Sequence, residues 1–445
     1  MNGCFRESEP KPLQKGDFAV RLRFVQVVAL LLAPPAVFAQ QRFDVLLKGG
    51  HVIDPRNAVD AVMDIGILDH KIAAVEKNIP ASAAGKVIDV SDLIVTPGLV
   101  DIHAHVYAGT GLRGAYDGDN SVYPDGFTFR SCVTTVADAG SSGWRNFPDF
   151  KDRIIDRSKT RILAFLNIVG AGMGGKVEQD TSQMDPNAAA EMAKKFPAII
   201  VGFKTAHFEG PEWTAVDRAL EAGRLASLPI MVDFGNFRPE RPYPDLVSKK
   251  LRPGDISTHM YIDFIPMLDS SGHVNPYLFE AQKRGVIFDV GHGGGSFVFN
   301  QAIPAIQRGF LPNSISTDLH IGSMNAGMKE MTNVMSKFLN LGLPLQDVIL
   351  RSTSQPAKEV HHEDLGTLSV GSDADVAVLR VEHGKFGFVD SLGGRMDGAQ
   401  KLVCELTLRD GKVVWDLNGI ARGRWQDRTT YSVNPKWDGL LPPRR

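Results

Sequence analysis

Cysteine is scarce in this chain: three residues in 445, Cys4, Cys132 and Cys404. That excludes the small disulfide-dense scaffolds, which need several bridges to replace a core. Charge of one sign is also missing. Lys plus Arg number 49 against 51 Asp plus Glu, and no basic block stands out, so the footprint of a nucleic-acid binder is absent. Long apolar runs are lacking as well. The best candidate, residues 24–32, is short and is followed by Pro34-Pro35, which makes a poor bilayer span. With 43% hydrophobic and 22% charged residues, the remainder is ordinary globular composition. Its length exceeds one compact core, so a large domain with a smaller companion is expected.

What is present at the N-terminus has the layout of a secretory signal. Arg21 and Arg23 precede the apolar run, and Val37-Phe38-Ala39 offers a small-x-Ala cleavage site before Gln40. We expect residues 1–39 to be a signal peptide and the mature protein to be periplasmic or secreted, without stable membrane association after cleavage; an uncleaved anchor is the other reading. Cleavage would take five basic and three acidic residues, leaving a net charge of −4. Cys132 and Cys404 would remain. They fall in segments assigned to different domains, so a bridge is allowed but not indicated. The expectation is a large core that needs none.

Three regions follow. Residues 43–96 read as short strands with turns, for example the alternating Met63-Asp64-Ile65-Gly66-Ile67 before the hairpin tip Asp69-His70-Lys71. Gly49-Gly50 reads as a turn between strands. Residues 97–364 change character: apolar strands alternate with helical stretches, which is the mark of βα units on a parallel sheet. Candidate strands are 99–102, 133–136, 162–169, 199–203, 229–232, 255–258, 286–290 and 314–317. Candidate helices include 186–196, 213–226, 274–284 and 297–309. Eight repeats in about 250 residues predict an α/β fold, a (β/α)8 TIM barrel. Residues 365–417 return to β, with Asp410-Gly411 as a hairpin turn. They are expected to join 43–96 in one small β-sandwich, leaving 418–445 as a C-terminal extension.

In a barrel, residues at the strand ends gather at one mouth, however distant in sequence. The first strand ends in His103-Ala104-His105, and residues i and i+2 of a strand share a face. Alone, this pair reads more readily as two solvated polar residues than as a metal grip. Further along, Lys204, Asp233, His259, His292 and Asp318 close strands four to eight. Six strand ends carrying groups of metal-ligand type turn the balance toward a metal site.

Pro97-Gly98-Leu99-Val100-Asp101-Ile102-His103-Ala104-His105, Gly254-Asp255-Ile256-Ser257-Thr258-His259, Phe288-Asp289-Val290-Gly291-His292-Gly293, Ile315-Ser316-Thr317-Asp318-Leu319-His320 and Gly371-Ser372-Asp373-Ala374-Asp375 together resemble the amidohydrolase superfamily. Within it the chain resembles the amidohydrolase/deacetylase metallohydrolases related to dihydroorotases. The resemblance implies two divalent metal ions, most readily zinc. His103, His105 and Asp318 would hold one ion, His259 the second, and a carboxylated Lys204 would bridge them. Where the family pattern has a histidine, this chain has Asp233. An aspartate can ligate, or it can turn away and leave the second ion weakly held, with His207 as a substitute.

The implied chemistry is hydrolysis of an amide or ester of a small acylated substrate by a metal-activated hydroxide, with Asp318 moving the proton. His292, His320, Tyr107 and Arg113 are candidate substrate contacts. The glycine-rich loops 108–118 and 170–175 are candidate covers. The expected partner is a small molecule, and the expected assembly a homo-oligomer. A hydrolase of cyclic amides, a metal-using isomerase or lyase, and a catalytically silent barrel acting as a binding or scaffold protein are the competing readings.

Overall fold

The computed structural model describes residues 43–235 and 238–427. The expected signal peptide, 1–39, lies outside the described residues, as does most of the expected C-terminal extension. Among the described residues no helix is long and apolar enough to cross a membrane.

The chain opens with β1 (Phe43–Asp54), β2 (Val59–Leu68), β3 (Lys71–Glu76), β4 (Ala84–Asp89) and β5 (Ile94–Pro97). Seven parallel strands follow: β6 (Leu99–Ala104), β7 (Val133–Gly143), β8 (Arg161–Asn167), β9 (Ile200–Thr205), β10 (Ile230–Val232), β11 (Ile256–Ser257) and β12 (Ile287–Phe288). The last three are β13 (Val376–Val389), β14 (Arg395–Arg409) and β15 (Lys412–Asp416). One eight-stranded sheet joins both ends of the chain in the order β15-β14-β13-β5-β1-β2-β3, with β4 also on β1. Leu47, Ile65, Val95, Val376, Val378 and Leu406 are buried together in it. Gly49-Gly50 is no turn. β1 runs through it with a bulge, Gly49 sitting at φ +77° and its N–H donating to Asp64 Oδ1 at 2.8 Å. A Cβ on Gly50 would stand 2.4 Å from Val95.

The second sheet is parallel throughout, in the order β12-β11-β10-β9-β8-β7-β6. The expected eighth strand, 314–317, is not a regular strand. Ser314 bridges Asp289 on one side and Leu319 bridges Ala104 on the other, so both edges of the curled sheet meet the same segment. The ladder is short here because His259, Gly291 and Asp318, just past three strand ends, all have left-handed backbones (φ 59°, 46° and 52°), and a strand cannot continue through them.

Helices cover the sheet from the sequence outward. Pro186–Lys195 begins with Asp185 accepting from the N–H groups of Asn187 and Ala188, and Pro186 fills a position that needs no donor. Pro276–Arg284 stops at Gly285, φ 102°, whose N–H returns to Ala281 O.

The cysteine expectation is overturned. Cys132, just before β7, and Cys404, in β14, form a disulfide across 272 residues, with Cα atoms 5.5 Å apart. Their assignment to different segments hid a contact that only the packing of β14 against the start of β7 creates.

Candidate metal centre and active site

His103 and His105 leave the end of β6 on one face and are 1% and 2% exposed. Asp318 stands over them, its Oδ1 3.0 Å from His105 Nε2 and 3.6 Å from His103 Nε2. Donor atoms of His103, His259 and Asp318 all lie within 4.8 Å of one another. Lys204, at the end of β9, is wholly buried with Nζ 3.2 Å from His103 Nε2 and 3.6 Å from Met231 Sδ. Gly140, φ +89°, gives it room: a Cβ there would lie 2.7 Å from the Lys204 stem.

Hydrogen bonds behind the histidines decide which nitrogen is free. Thr258 donates to Asp289 Oδ2 at 2.7 Å, so its hydroxyl oxygen accepts from His103 Nδ1 at 2.8 Å. Ser316 and Ser314 saturate the same carboxylate. Ser141 Oγ meets His105 Nδ1 at 2.9 Å, while the Ser141 N–H donates to Asp138 Oδ1 at 2.7 Å. His259 Nδ1 donates to Gly291 O at 2.6 Å. With Nδ1 engaged behind them, all three rings turn Nε2 toward the site, the nitrogen left to take a cation. The donor set fits a divalent metal: three imidazole nitrogens, a carboxylate, and a buried amine whose charged form burial disfavours.

His320 is the opposite case. Its Nδ1 accepts from the N–H groups of Gly322 and Ser323, capping the short helix Ile321–Asn325, so its proton sits on Nε2. That Nε2 is 3.7 Å from Asp318 Oδ2. His320 is a donor facing the site and is no ligand.

Asp233 points inward. Its Oδ2 lies 3.4 Å from His259 Nε2 and 3.3 Å from His207 Nε2. Burial alone would raise its carboxyl, but His259, His207 and Lys204 hold it well below the usual range. His207 Nδ1 meets Glu178 Oε2 at 3.0 Å. Burial opposes the charged imidazole, yet Glu178 and Asp233 raise it to about 9. The same balance raises His259, burial opposing and the Asp233 charge prevailing, so a cation at its Nε2 competes with a proton.

These groups floor an open cavity of ≈ 520 Å³. Tyr116, His207, Asp233, His259, Asp318 and His320 supply its polar lining, and Ile262, Phe264 and Ala326 an apolar flank. Three candidate substrate contacts lie elsewhere. Tyr107 is buried against Phe150 and donates to Asp149 Oδ2 at 2.6 Å. Arg113 is exposed on its loop and does not line the cavity. His292 is fully buried, stacked on Phe297 at 4.5 Å, with Nδ1 donating to Gly293 O and Nε2 accepting from Lys337. The aromatic that does face the site is Tyr116, its ring 4.5 Å from His105 and 5.1 Å from His320. It is the only aromatic of the 108–118 loop, the one signal that could have found it.

Buried imidazoles and carboxylates gathered at the strand ends of a parallel sheet define a metal-dependent hydrolase. Comparison with known proteins agrees. A deacetylase of Brucella anthropi is 35% identical over 347 residues, 75% of this chain and 83% of the relative. The crystal structure of an adenine deaminase aligns with TM-score 0.76 and 26% identity, covering 84% of this chain and all of that one. That of a dihydroorotase gives 0.72 and 29%, covering 84% and 99%. No family-level sequence model matches. The chain belongs to the amidohydrolase superfamily, in its deacetylase family related to dihydroorotases, which are hydrolases of carbon–nitrogen bonds other than peptide bonds.

Proposed function

We propose that the protein is an exported deacetylase that removes the acyl group from a small N- or O-acylated compound bound in the 520 Å³ cavity. The observation that carries this is the convergence of His103, His259 and Asp318 donor atoms within 4.8 Å beside Lys204, whose charged form burial disfavours. His103, His105, His259 and Asp318, with Asp233 and a carboxylated Lys204, would hold two divalent ions, zinc first among them. Bound there, the ions would polarise the acyl carbonyl and acidify a water.

The remaining work falls to the chain's own side chains. Asp318 reaches His105 with Oδ1 and His320 with Oδ2, so it is placed to take a proton and deliver it to the leaving atom. Burial opposes its charged form, but His320 and His105 hold its carboxyl down to about 2. It is therefore ionised at neutral pH and ready to accept. His320, with its Nε2 proton, is placed to steady negative charge on the acyl oxygen. Tyr116 and Phe264 would pack the substrate's apolar part. His207, held charged by Glu178, would keep Asp233 oriented.

The barrel is read as closed, with 314–319 as its eighth strand, residues 97–364 as the catalytic domain, and 43–96 with 365–417 as the small β domain. A homo-oligomer remains part of the reading. The test is metal analysis with a panel of N-acyl amino acids, acylated hydroxy acids and cyclic amides. Hydrolysis of acyclic substrates that disappears on chelation and returns with zinc supports the proposal. Hydrolysis of cyclic amides alone would favour the dihydroorotase-like reading, which the 29% identity to a dihydroorotase supports. A metal-replete protein that holds no ion would favour the scaffold.

A further inference from the structure

Lys337 is an unusual residue for its place. It lies on the helix Met331–Asn340 and is 0% exposed. A methionine or leucine would fill that space without the cost of burying an amine. Its ammonium has two hydrogen-bond partners, both neutral: His292 Nε2 at 2.6 Å and Gly327 O at 2.7 Å. It also sits 5.7 Å over the Phe297 ring. Burial lowers its pKa to about 7, against the more distant charge of Asp390, so the position strains the charge it carries.

The two partners belong to different loops, and each loop forms one side of the active-site cavity. His292 precedes Gly294, Gly295 and Ser296, which line it; Gly327 follows His320, Gly322 and Ala326, which line it beside them. The loops adjoin, since a Cβ on Gly294 would stand 3.7 Å from Gly322. His292 is also followed by a fixed backbone: His292 N–H donates to Ser316 O and Gly293 N–H to Thr317 O. A bond to the His292 ring therefore acts on a segment whose backbone is held along one edge by residues 316–317.

We propose that Lys337 is a positioning residue that ties these two adjoining wall loops together from behind and so fixes the shape of the substrate site. The inference rests on the functional reading above only for what the cavity binds. Lys337 touches no substrate; it acts through His292 and Gly327.

The test uses the full-length protein carrying Lys337→Met, with Lys337→Gln as a second variant that keeps a donor. Hydrogen exchange is followed in 291–297 and 320–328, alongside the melting temperature, metal content and steady-state kinetics on whichever panel compound the wild type hydrolyses. We expect Lys337→Met to melt near the wild type, because a costly buried charge is gone. Exchange should quicken about tenfold in both loops while the helix Met331–Asn340 is unchanged. KM should rise about tenfold with kcat within about threefold, and Lys337→Gln should recover part of the loss. Unchanged exchange in either loop overturns the proposal. So does a defect confined to kcat with loss of metal, which would make Lys337 a support of the metal site alone. If Lys337→Met does not fold, Lys337→Gln carries the same exchange comparison. If the wild type hydrolyses nothing on the panel, the functional reading fails, and the exchange result still decides whether Lys337 braces the walls.

Discussion

Gly291 accepts the Nδ1 proton of His259 at 2.6 Å from a backbone held at φ +46°. No side chain fits there: a Cβ would lie 2.3 Å from Thr258 Oγ1, 2.8 Å from His259 Nδ1 and 3.0 Å from His103 Nδ1. The single glycine thus orients two histidines. Gly291→Ala should leave a folded protein, because the clash is local, but should swing both rings and cut metal affinity and activity at least about 100-fold. Metal titration of the purified variant is the check; wild-type affinity would show that the rings are held by other means.

The relay from His103 through Thr258 to Asp289 makes a milder prediction. Thr258→Val keeps the shape and removes the hydroxyl, so His103 loses its 2.8 Å acceptor and can present the wrong nitrogen. Affinity for the ion at His103 should fall about 10–100-fold with little change in melting temperature. Competition with a metal-sensitive dye measures it.

Glu359 predicts how stability depends on pH. It is buried, with Gln355 Nε2 donating to its Oε1 at 3.2 Å, and the Asp289 charge adds to the effect of burial. Burial, the largest cause, raises its carboxyl from 4.5 to about 8. The folded state therefore holds a proton that the unfolded state releases. Its contribution is full below pH 4.5 and is lost as pH climbs to about 8, at up to about 1.4 kcal/mol per pH unit. Glu359→Gln mimics the protonated form. Denaturant titrations between pH 6 and 9 should show the variant gaining on the wild type as pH rises. Parallel curves would mean that Glu359 is ionised in the folded protein.

The disulfide should be felt as stability rather than activity. Cys132 and Cys404 are buried, Cys132 O accepting from Leu99 N–H at the start of β6 while His103 and His105 leave its far end, and they close a loop of 272 residues. Cys132→Ala with Cys404→Ala should lose roughly 2–4 kcal/mol while kcat is kept. A thiol count of the purified full-length protein tests the bond itself: one free thiol, that of Cys4, fits it, and three would remove it.

Local pattern exposed the strand ends and therefore the residues that the fold gathers there. His103, His105, Lys204, His259 and Asp318 each fall at or just past the end of an expected strand, and a parallel sheet has only one mouth for them. What the pattern could not carry is direction. His292 also follows a strand, yet the left-handed Gly291 turns its ring into the core against Phe297 and Lys337. Tyr107 sits two residues after His105 but faces Phe150, and the useful ring is Tyr116, delivered by a glycine-rich loop whose path no periodicity specifies. The His103–Thr258–Asp289 relay joins residues 155 and 31 apart, so it exists only in the folded sheet.

Asp233 is where this chain parts from the pattern it otherwise resembles, and its surroundings say how the change is borne. One oxygen, Oδ2, lies within 3.4 Å of both His207 and His259. The charge it brings is answered by His207, raised to about 9, which Glu178 holds from the other side. A histidine at 233 would leave that charged His207 facing a neutral ring. The aspartate and His207 therefore act as a pair. Asp233→Asn keeps the size and removes the charge, so it should lower affinity for the second ion and cut kcat about 100-fold or more. His207→Gln should leave Asp233 ionised but less firmly placed and cost about tenfold. If the two act together, the double variant should be little worse than Asp233→Asn alone. Metal content and kcat for all three variants, compared as a cycle, decide it; additive losses would make His207 an independent contributor.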